Sequence, residues 1–394
     1  AQYRSVFNSG YYTGPTTLAR SAISTDEHTH ILAFERAFKG KVRTGPLTHA
    51  MMFGFDYMQQ SGSEVGLYGS ADSMNVLHPN YGSSNPVLLP WVNYQTDSHQ
   101  IGAYGQDEIR WKGLVLTGSL RNDWYRSNQL NRATNKTTKQ APSQITWRAS
   151  GLYHFNFGLA PYISYSTSFQ PQSGLVSSNG GASTRQADPS VGKQLEGGLK
   201  YQIPGTSVLF TVAGFHIEQT NVLVPVTGQL YNTQSGKVHS DGFEFEAHAE
   251  PYKNLDLTAS ISIQKVKDST TGKPLMQSGK GNAALFAFYT LPQGPMKGFG
   301  FGGGMRYTAK SYAGEGTYGQ GSVWVPQYAV FDGSLRYDLS QLSPSLHGWS
   351  VAASVRNLFD KKYIGSCMSY SSYNQAWCYY GERRNAQGTL AFSW

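Results

Sequence analysis

The feature that most constrains the fold of this chain is an alternation of apolar and polar residues that recurs from one end to the other. In 255–264, with the sequence LDLTASISIQ, every odd position is apolar and every even position is polar. Successive side chains of a β-strand point to opposite faces of a sheet, so this alternation predicts an all-β fold with one apolar and one polar face. The same alternation recurs in 99–111, 114–124, 243–250 and 386–394.

The alternation and the turn residues between its blocks predict about sixteen strands. The predicted strands lie near 3–13, 27–39, 45–59, 96–111, 113–125, 143–155, 159–169, 191–202, 207–219, 238–250, 254–267, 280–291, 298–311, 326–338, 348–359 and 385–394. Their connections are alternately short and long, as is typical of antiparallel outer-membrane barrels. The long connections are predicted at 60–95, 126–142, 170–190, 220–237, 268–279, 312–325 and 360–384.

The position of aromatic residues favours a membrane barrel over a soluble sandwich. A sandwich packs its apolar faces together, whereas a membrane barrel turns them outward to lipid. Aromatic residues make up 13% of the chain, and many stand near predicted strand ends, where interfacial girdles form. Ordinary sheet packing is the alternative for any single one of them. The girdle candidates are Tyr57, Trp111, Trp124, Tyr153, Phe169, Tyr201, Tyr307, Tyr337 and Trp349.

Composition argues against several other classes of protein. The net charge is +8, but the basic residues are scattered, so no nucleic-acid partner is predicted. Two cysteines cannot hold a tetrahedral zinc ion by themselves. His28 and His30 share a strand face and could touch a metal, but a solvated or girdle position is favoured, so no metal site is predicted. No spacing of Ser, His and Asp indicates a catalytic triad, so no enzyme is predicted.

Two further patterns receive structural interpretations. Gly314, Gly316 and Gly319 match G-x-G-x-x-G, but they lie between two predicted strands rather than in a βαβ unit, so we predict a flexible loop. The charged residues that enter the last strand, Glu382, Arg383 and Arg384, are predicted to line the lumen together with the arginines Arg148, Arg306, Arg336 and Arg356.

Five segments carry a resemblance to a known family. They are SYSTSFQP (164–171), GKQLEGGLKY (192–201), SDGFEFEAHAEP (240–251), VRNLFDKKYIGSC (355–367) and YYGERRNAQGTLAFSW (379–394). Together they resemble the barrel of TonB-dependent outer-membrane siderophore receptors, and most closely its ferric hydroxamate branch, the ferrichrome and ferrioxamine receptors. The resemblance spans nearly the whole chain.

The resemblance implies a larger architecture than these residues provide. Members of the family enclose an N-terminal plug in a barrel of about 22 strands, preceded by a short segment that binds the energising inner-membrane partner. Residues 1–394 contain no segment like the plug and about six strands too few. We therefore expect residues 1–394 to be the β-barrel domain of a longer receptor, with a truncated gene product as the less favoured alternative.

The resemblance also implies site residues. Cys367 and Cys378 fall in the last long loop, where such receptors often carry a cysteine pair, so a disulfide is expected rather than two free thiols. The C-terminal Trp394 takes the place of the terminal aromatic that serves as the assembly signal, with a girdle residue as the compatible alternative. Aromatic outer loops are expected to contact the ligand, although loop packing explains any single one equally well. The ligand-binding candidates are Tyr81, Trp91, Met368, Tyr370 and Trp377, of which Met368 replaces an aromatic contact of the ferrichrome receptors.

The expected function is therefore that of a bacterial outer-membrane receptor and transporter for ferric siderophores of the hydroxamate type. The resemblance implies energy from the TonB–ExbB–ExbD complex through the N-terminal part, a monomer surrounded by outer-membrane lipid, and no resident cofactor. The alternative is a passive sixteen-stranded porin, which the strand count alone would support. A porin would conduct ions without ligand, whereas a plugged receptor would bind an iron complex and conduct little.

Overall fold

The computed structural model describes residues 2–81, 86–172, 175–177, 184–225, 232–316, 321–370 and 375–393. Within these ranges no helix has the length and apolar character needed to cross a membrane. Two short 3-10 turns, Leu339–Gln341 and Pro344–Leu346, are the helical segments described. In chain order the strands are β1 (Gln2–Tyr12), β2 (Thr17–Thr44), β3 (Leu47–Asn75), β4 (Val87–Trp111), β5 (Leu114–Asn131), β6 (Lys136–Gln140), β7 (Ser143–Tyr153), β8 (Leu159–Gln170), β9 (Leu175–Ser177), β10 (Thr184–Gln186), β11 (Ser190–Gln202), β12 (Leu209–Pro225), β13 (Asn232–Tyr252), β14 (Leu255–Asp268), β15 (Gly281–Thr290), β16 (Phe299–Thr308), β17 (Ser311–Glu315), β18 (Ser322–Val325), β19 (Tyr328–Asp338), β20 (Trp349–Arg356), β21 (Ile364–Tyr370), β22 (Gln375–Tyr380) and β23 (Asn385–Phe392).

Sixteen of these strands form one antiparallel meander, in which each pairs with the next along the chain. In the described ranges, β1 pairs with β2 alone and β23 with β20 alone, so these two strands are the edges of the sheet. Each predicted strand overlaps one strand of the meander, which confirms the all-β prediction of about sixteen strands. The order is β1–β2–β3–β4–β5–β7–β8–β11–β12–β13–β14–β15–β16–β19–β20–β23.

Several strands are much longer than the sequence pattern predicted. β2 has 28 residues and β3 has 29, so each extends about 90 Å at roughly 3.3 Å per residue, well beyond an apolar band of about 25 Å. The predictions of long loops at 60–95, 126–142 and 220–237 were therefore wrong over most of their length. The extended parts of these strands contact water on both faces. Neither face then needs apolar residues, so the sequence lacks the alternation by which a strand is recognised.

The two faces of the meander differ as predicted. Phe38 stands opposite Phe53 on the outward face, and both rings are more than half exposed. Glu35 stands opposite Asp56. Their positions alternate with those of Phe38 and Phe53 along the two strands, so they lie on the inward face. The outward face thus offers large apolar side chains to lipid, and the inward face offers charges to the lumen.

On the inward face between β15 and β16, aromatic rings lie over glycines. A Cβ atom at Gly302 would be 2.6 Å from a ring carbon of Phe288, and one at Gly304 would be 2.7 Å from Phe286. Real Cβ atoms do not approach other carbons so closely, so these positions admit only glycine while the rings keep their places. The rings therefore take the space that side chains would fill elsewhere on the wall.

Most of the short connections lie at one end of the sheet, which has the connections after β2, β4, β7, β11, β13, β15 and β19. Gly45 turns β2 into β3 with φ +60°, and Lys112 turns β4 into β5 with φ +51°. The predicted short turns at 111–113, 155–158 and 203–205 are confirmed, and that at 251–253 lies one residue later. The longer connections lie at the opposite end, which we call the mouth.

Candidate functional site

At the mouth, two long connections form a small second sheet, which we call the loop sheet. It comprises β17 and β18, from the connection between β16 and β19, and β21 and β22, from the connection between β20 and β23. β17 pairs with β18 in antiparallel fashion and joins β21 in parallel fashion at Gly314 and Ser369. Gly314 is therefore part of a strand, with φ +127°, and the prediction of a flexible loop there was wrong. Gly319 lies outside the described residues.

The loop sheet has its own apolar core, to which a disulfide contributes. Cys367 and Cys378 are bonded, with their Cα atoms 4.0 Å apart, as expected from the sequence. Cys367 is buried with Ala313 and Val325, and Val323 and Ile364 pack against this cluster. Closing a loop of this size should stabilise the fold by about 2–3 kcal/mol in the chain-entropy model. The disulfide therefore fixes a hairpin that already packs against the neighbouring connection.

A carboxylate ties the loop sheet together on its polar side. The Tyr312 hydroxyl donates to Oε1 of Glu315 at 2.8 Å, and Lys273 Nζ lies 3.1 Å from the same oxygen. Ser369 Oγ donates to the backbone carbonyl of Glu315 at 3.0 Å. Burial, together with the bond to Glu315, raises the pKa of Tyr312 to about 12. The same bond and the Lys273 ammonium hold the pKa of Glu315 below its usual value.

A third connection, between β14 and β15, reaches the same sheet. The Gln277 amide donates to the Tyr312 carbonyl at 2.7 Å, and the Tyr312 amide donates to the Ser278 carbonyl at 3.0 Å. Lys280 and Lys310 place their ammonium groups 5.0 Å and 5.3 Å from the ring centroid of Trp324. Both distances are within the range of a cation–π contact. Sequence reasoning missed this cluster, because only the fold brings these lysines to the tryptophan.

The NLFDKKY segment anchors the loop sheet to the barrel rim. Asn357 is 2% exposed, with φ +49°. Its amide nitrogen Nδ2 donates to the carbonyls of Lys361 at 2.8 Å and Glu382 at 3.0 Å, and its Oδ1 accepts from the Lys361 amide at 2.9 Å. One side chain thus joins both ends of the connection that carries β21 and β22.

An ion pair also holds this rim. Asp360 accepts from Arg383 Nε at 2.8 Å and from the Arg384 amide at 3.0 Å. The Arg383 guanidinium and the Arg384 amide hold the pKa of Asp360 well below its usual range. Because Asp360 precedes β21 and Arg383 follows β22, this pair closes the base of the connection that carries these two strands.

The structure places the predicted ligand-binding residues in two separate regions of the mouth. Met368 is partly buried in β21, opposite Trp377 in β22, and Tyr370 is the last residue of β21. Tyr81 lies in the connection between β3 and β4 and is 77% exposed. Trp91 is on β4, 61% exposed, with its ring 6.2 Å from that of Tyr68. Their role in ligand binding stays a prediction. Trp394, the predicted assembly signal, lies outside the described residues.

The lumen wall carries a charged network below the mouth. Arg121 donates to both oxygens of Asp56, at 2.6 Å and 2.9 Å, and also to Asp123 at 2.7 Å. Tyr104, whose ring lies 5.6 Å from the Arg121 guanidinium, donates to Glu35 at 2.7 Å. An inward groove of about 610 Å³ is lined by Glu35, Asp56, Tyr104 and Arg121. The predicted lumen-lining arginines Arg148 and Arg306 occupy the same inward face: Arg148 lines this groove, and Arg306 binds Asp332.

Known proteins match this chain along most of its length. Residues 1–358 match the family described as "TonB dependent receptor-like, beta-barrel". The ferrichrome outer membrane transporter/phage receptor of Escherichia coli K12 is 30% identical over 95% of this chain and 50% of its own length. The ferrioxamine B receptor of Salmonella typhimurium LT2 is 28% identical over 96% of this chain and 52% of its own length. The chain thus spans about half the length of these relatives.

Solved structures show the same fold. The closed form of the ferric-catecholate import receptor Fiu from E. coli K12 matches with a TM-score of 0.79, at 20% identity, over 99% of this chain and 59% of that chain. The ferripyoverdine receptor of Pseudomonas aeruginosa matches with a TM-score of 0.76, at 19% identity, over 98% of this chain and 51% of that chain.

Proposed function

Because the chain belongs to the TonB-dependent receptor-like β-barrel family of the bacterial outer membrane, we propose that it forms the wall and outer loops of a receptor that takes up ferric siderophores. The observation that carries this proposal is the match of 95% of the chain to a ferrichrome transporter. The proposed role is binding and transport, in which no covalent bond is formed or broken.

The chemistry of the mouth supports a hydroxamate ligand. A ferric hydroxamate is a compact complex with an apolar periphery and little charge, so broad apolar contacts hold it better than ion pairs. Met368 in the loop sheet and the exposed rings of Tyr81 and Trp91 offer such contacts. The ferrichrome and ferrioxamine receptors among the relatives carry ligands of this class in their names.

A rigid loop sheet suits this role. Loops that are ordered before binding lose less conformational entropy when the ligand arrives, so more of the contact energy becomes affinity. The disulfide, the Asn357 hydrogen bonds and the Glu315 contacts each hold the loop sheet before any ligand is bound. We propose that this preorganised surface forms one side of the ligand site.

The energising partner belongs to the same proposal. We propose that the receptor works as a monomer in outer-membrane lipid and that a plug inside the barrel receives energy from the TonB–ExbB–ExbD complex. The inward charges of Glu35, Asp56 and Arg121 suit a polar plug. A plug that displaces the water around these side chains must offer hydrogen bonds in its place, because an unpaired charge is costly away from water. The sixteen-strand count alone would fit a porin, but the family match favours a receptor.

The test is direct binding by the intact protein extracted from outer membranes. Quenching of intrinsic fluorescence would be titrated with ferrichrome and ferrioxamine B, with a ferric catecholate of similar size as the control. We expect saturable binding of a hydroxamate complex and at least about tenfold weaker binding of the catecholate. Binding of the catecholate alone would overturn the hydroxamate assignment. Steady ion conductance in planar bilayers without any ligand binding would instead favour the porin.

A further inference from the structure

Four lysines gather around Trp324 of the loop sheet, and we call this group the lysine cluster. Lys265 and Lys267 belong to β14, Lys280 directly precedes β15, and Lys310 lies between β16 and β17. The ammonium groups of Lys280 and Lys310 are 5.0 Å and 5.3 Å from the ring centroid of Trp324. Lys265, Lys267, Lys280 and Trp324 line one pocket of about 430 Å³. The cluster thus concentrates positive charge around one tryptophan ring.

The pocket of the lysine cluster lies on the outward face of the wall. Ile263 of β14 lines this pocket and is 59% exposed. It stands opposite Phe243 of β13, whose ring is half exposed on the same face. Lys265 and Lys267 follow Ile263 at intervals of two residues in the same strand, so their side chains share its face. The cluster therefore borders the membrane rather than the lumen.

The position of the cluster along β14 sets its depth in the membrane. The outward residues of this strand are apolar from Leu255 to Ile263. At roughly 3.3 Å per residue and a tilt of about 40°, this stretch crosses about 20 Å, close to an apolar band of about 25 Å. Lys265 and Lys267 come directly after it, on the side of the mouth. Because the long connections of outer-membrane barrels are extracellular, the cluster lies at the level of the headgroups of the outer leaflet.

The positive charges of the cluster are not neutralised by the protein. In the described part of the chain, none of its four lysines forms an ion pair. Asp241 stands opposite Lys265, but its Oδ1 is bonded to His216 Nδ1 at 2.6 Å. Glu315 of the loop sheet pairs with Lys273 instead. The cluster is therefore complementary to an anion from outside the chain.

Two of the lysines are also forced close together. The Lys280 amide donates to the Lys310 carbonyl at 3.1 Å, and both ammonium groups lie near the same ring. Like charges on neighbouring strands repel, so an anion between them stabilises this arrangement. Lys265, Lys280 and Lys310 are exposed, so a ligand can reach them. An ammonium group is a compact point charge with three donors, which suits the oxygens of a phosphate.

We infer that the lysine cluster binds the phosphate groups of a lipid in the outer leaflet. The lysine ammonium groups donate to the phosphate oxygens, and basic residues at a membrane surface hold anionic headgroups in this way. Trp324 gives the headgroup an aromatic contact at the interface, and Ile263 begins the apolar surface along which an acyl chain lies. The site is on the outside of the wall, so it is independent of the proposed transport function.

The test uses the intact protein purified from outer membranes in mild detergent, with bound lipid counted by native mass spectrometry. The probes are lipid A with two phosphates and lipid A with one, and we expect tighter retention of the first. The double variant Lys280→Gln, Lys310→Gln should retain about tenfold less of the diphosphorylated form, because two ammonium groups are lost. Lys280→Arg, Lys310→Arg keeps both charges and should retain it. Lys112→Gln is the matched control, since Lys112 lies 5.4 Å from the ring of Trp111 at the short-turn end.

The inference is overturned if the double glutamine variant retains diphosphorylated lipid A like the unaltered protein, or if Lys112→Gln loses as much. A second measurement needs no variant: the unaltered protein loaded with diphosphorylated lipid A is exposed to a large excess of inorganic phosphate. Retention of the lipid supports the site, and its displacement would assign the cluster to a free anion. Weaker ferrichrome binding by the double glutamine variant would place the cluster in the cargo site and would equally contradict a lipid site.

Discussion

The backbone N–H of Asn357 donates to Oδ1 of Asp332 at 2.9 Å, and the guanidinium of Arg306 holds the same carboxylate from the adjacent strand β16. The start of the NLFDKKY turn is therefore bound to two strands of the barrel wall at once. This contact transmits the rigidity of the wall to the loop sheet above it.

Replacing Asn357 with alanine should destabilise the fold by about 2–4 kcal/mol. The change removes the buried Asn357 amide that donates to the carbonyls of Lys361 and Glu382, and it places alanine at φ +49°. The measurement is the midpoint of urea unfolding in detergent micelles. Asn135→Ala is the control, since Asn135 has φ +52° but is exposed. Equal losses in the two variants would show that the backbone conformation, and not the hydrogen bonds, matters.

Gly302→Ala and Gly303→Ala should differ sharply, although the two residues are adjacent. A Cβ at Gly302 would be 2.6 Å from Phe288, whereas the nearest atom to one at Gly303 is 3.6 Å away. We expect a loss of about 1–3 kcal/mol from the overpacked Gly302 variant and less than about 1 kcal/mol from the other. Thermal unfolding of the purified barrel provides the comparison. If both variants unfold alike, the Phe288 ring and the Ala287 carbonyl, which would lie 2.8 Å from the same Cβ, adjust at little cost.

Reduction of the Cys367–Cys378 disulfide should loosen the mouth and leave the wall intact. The closed loop is short and its core is small, so the expected loss is about 2–3 kcal/mol, confined to the loop sheet. Limited proteolysis with and without reductant would locate new cleavage within 357–384. The double variant Cys367→Ala, Cys378→Ala should reproduce the reduced pattern, and cleavage within barrel strands would contradict local loosening.

Acid should loosen the loop sheet through Glu315. Its pKa is lowered in the folded chain, so its contribution is present above the ordinary value of 4.5 and is lost as pH falls below 4.5 through the folded value. The emission of Trp324, whose ring is 5.3 Å from that of Tyr312, should report the change. Glu315→Gln should show a smaller change between pH 5 and pH 3. An identical titration in both proteins would assign the transition to another group.

Removal of a predicted ligand contact should weaken siderophore binding. Trp91→Ala deletes a large ring that is 61% exposed near the mouth, and we expect about a tenfold loss of ferrichrome affinity. Trp111→Ala is the matched control, because Trp111 ends β4 at the short-turn side. Unchanged affinity in the Trp91 variant would show that this residue does not contact the ligand. Met368→Ala can be compared with the same Trp111→Ala control.

The sequence predicted the wall well because lipid and lumen impose opposite demands on the two faces. β14 is an example, since Leu255 to Ile263 alternate with polar residues over the whole predicted strand. The upper part of β3, from Gln60 to Asn75, was missed because its few large residues, such as Leu67 and Tyr68, fall on both faces among polar and small ones. Where the environment is the same on both sides, the chain carries no periodic signal.

The loop sheet could not be predicted by pattern either. Its central pairing joins Gly314 to Ser369, and no local sequence feature specifies a contact between segments so distant along the chain. The resemblance supplied the cysteine pair and the NLFDKKY segment. It did not reveal the four-way hydrogen bonding of Asn357 or the two lysines over Trp324, because these depend on the folded position of neighbouring connections.

The parallel contact between β17 and β21 has a consequence for the order of assembly. β17 precedes β19 and β21 follows β20, so the two strands meet only after both barrel strands between them are side by side. Long-range contacts of this kind form late, because the entropy of closing the intervening chain must first be compensated. The barrel wall is therefore the template on which the mouth is completed, and a nascent protein would insert its wall into the membrane before its mouth took shape.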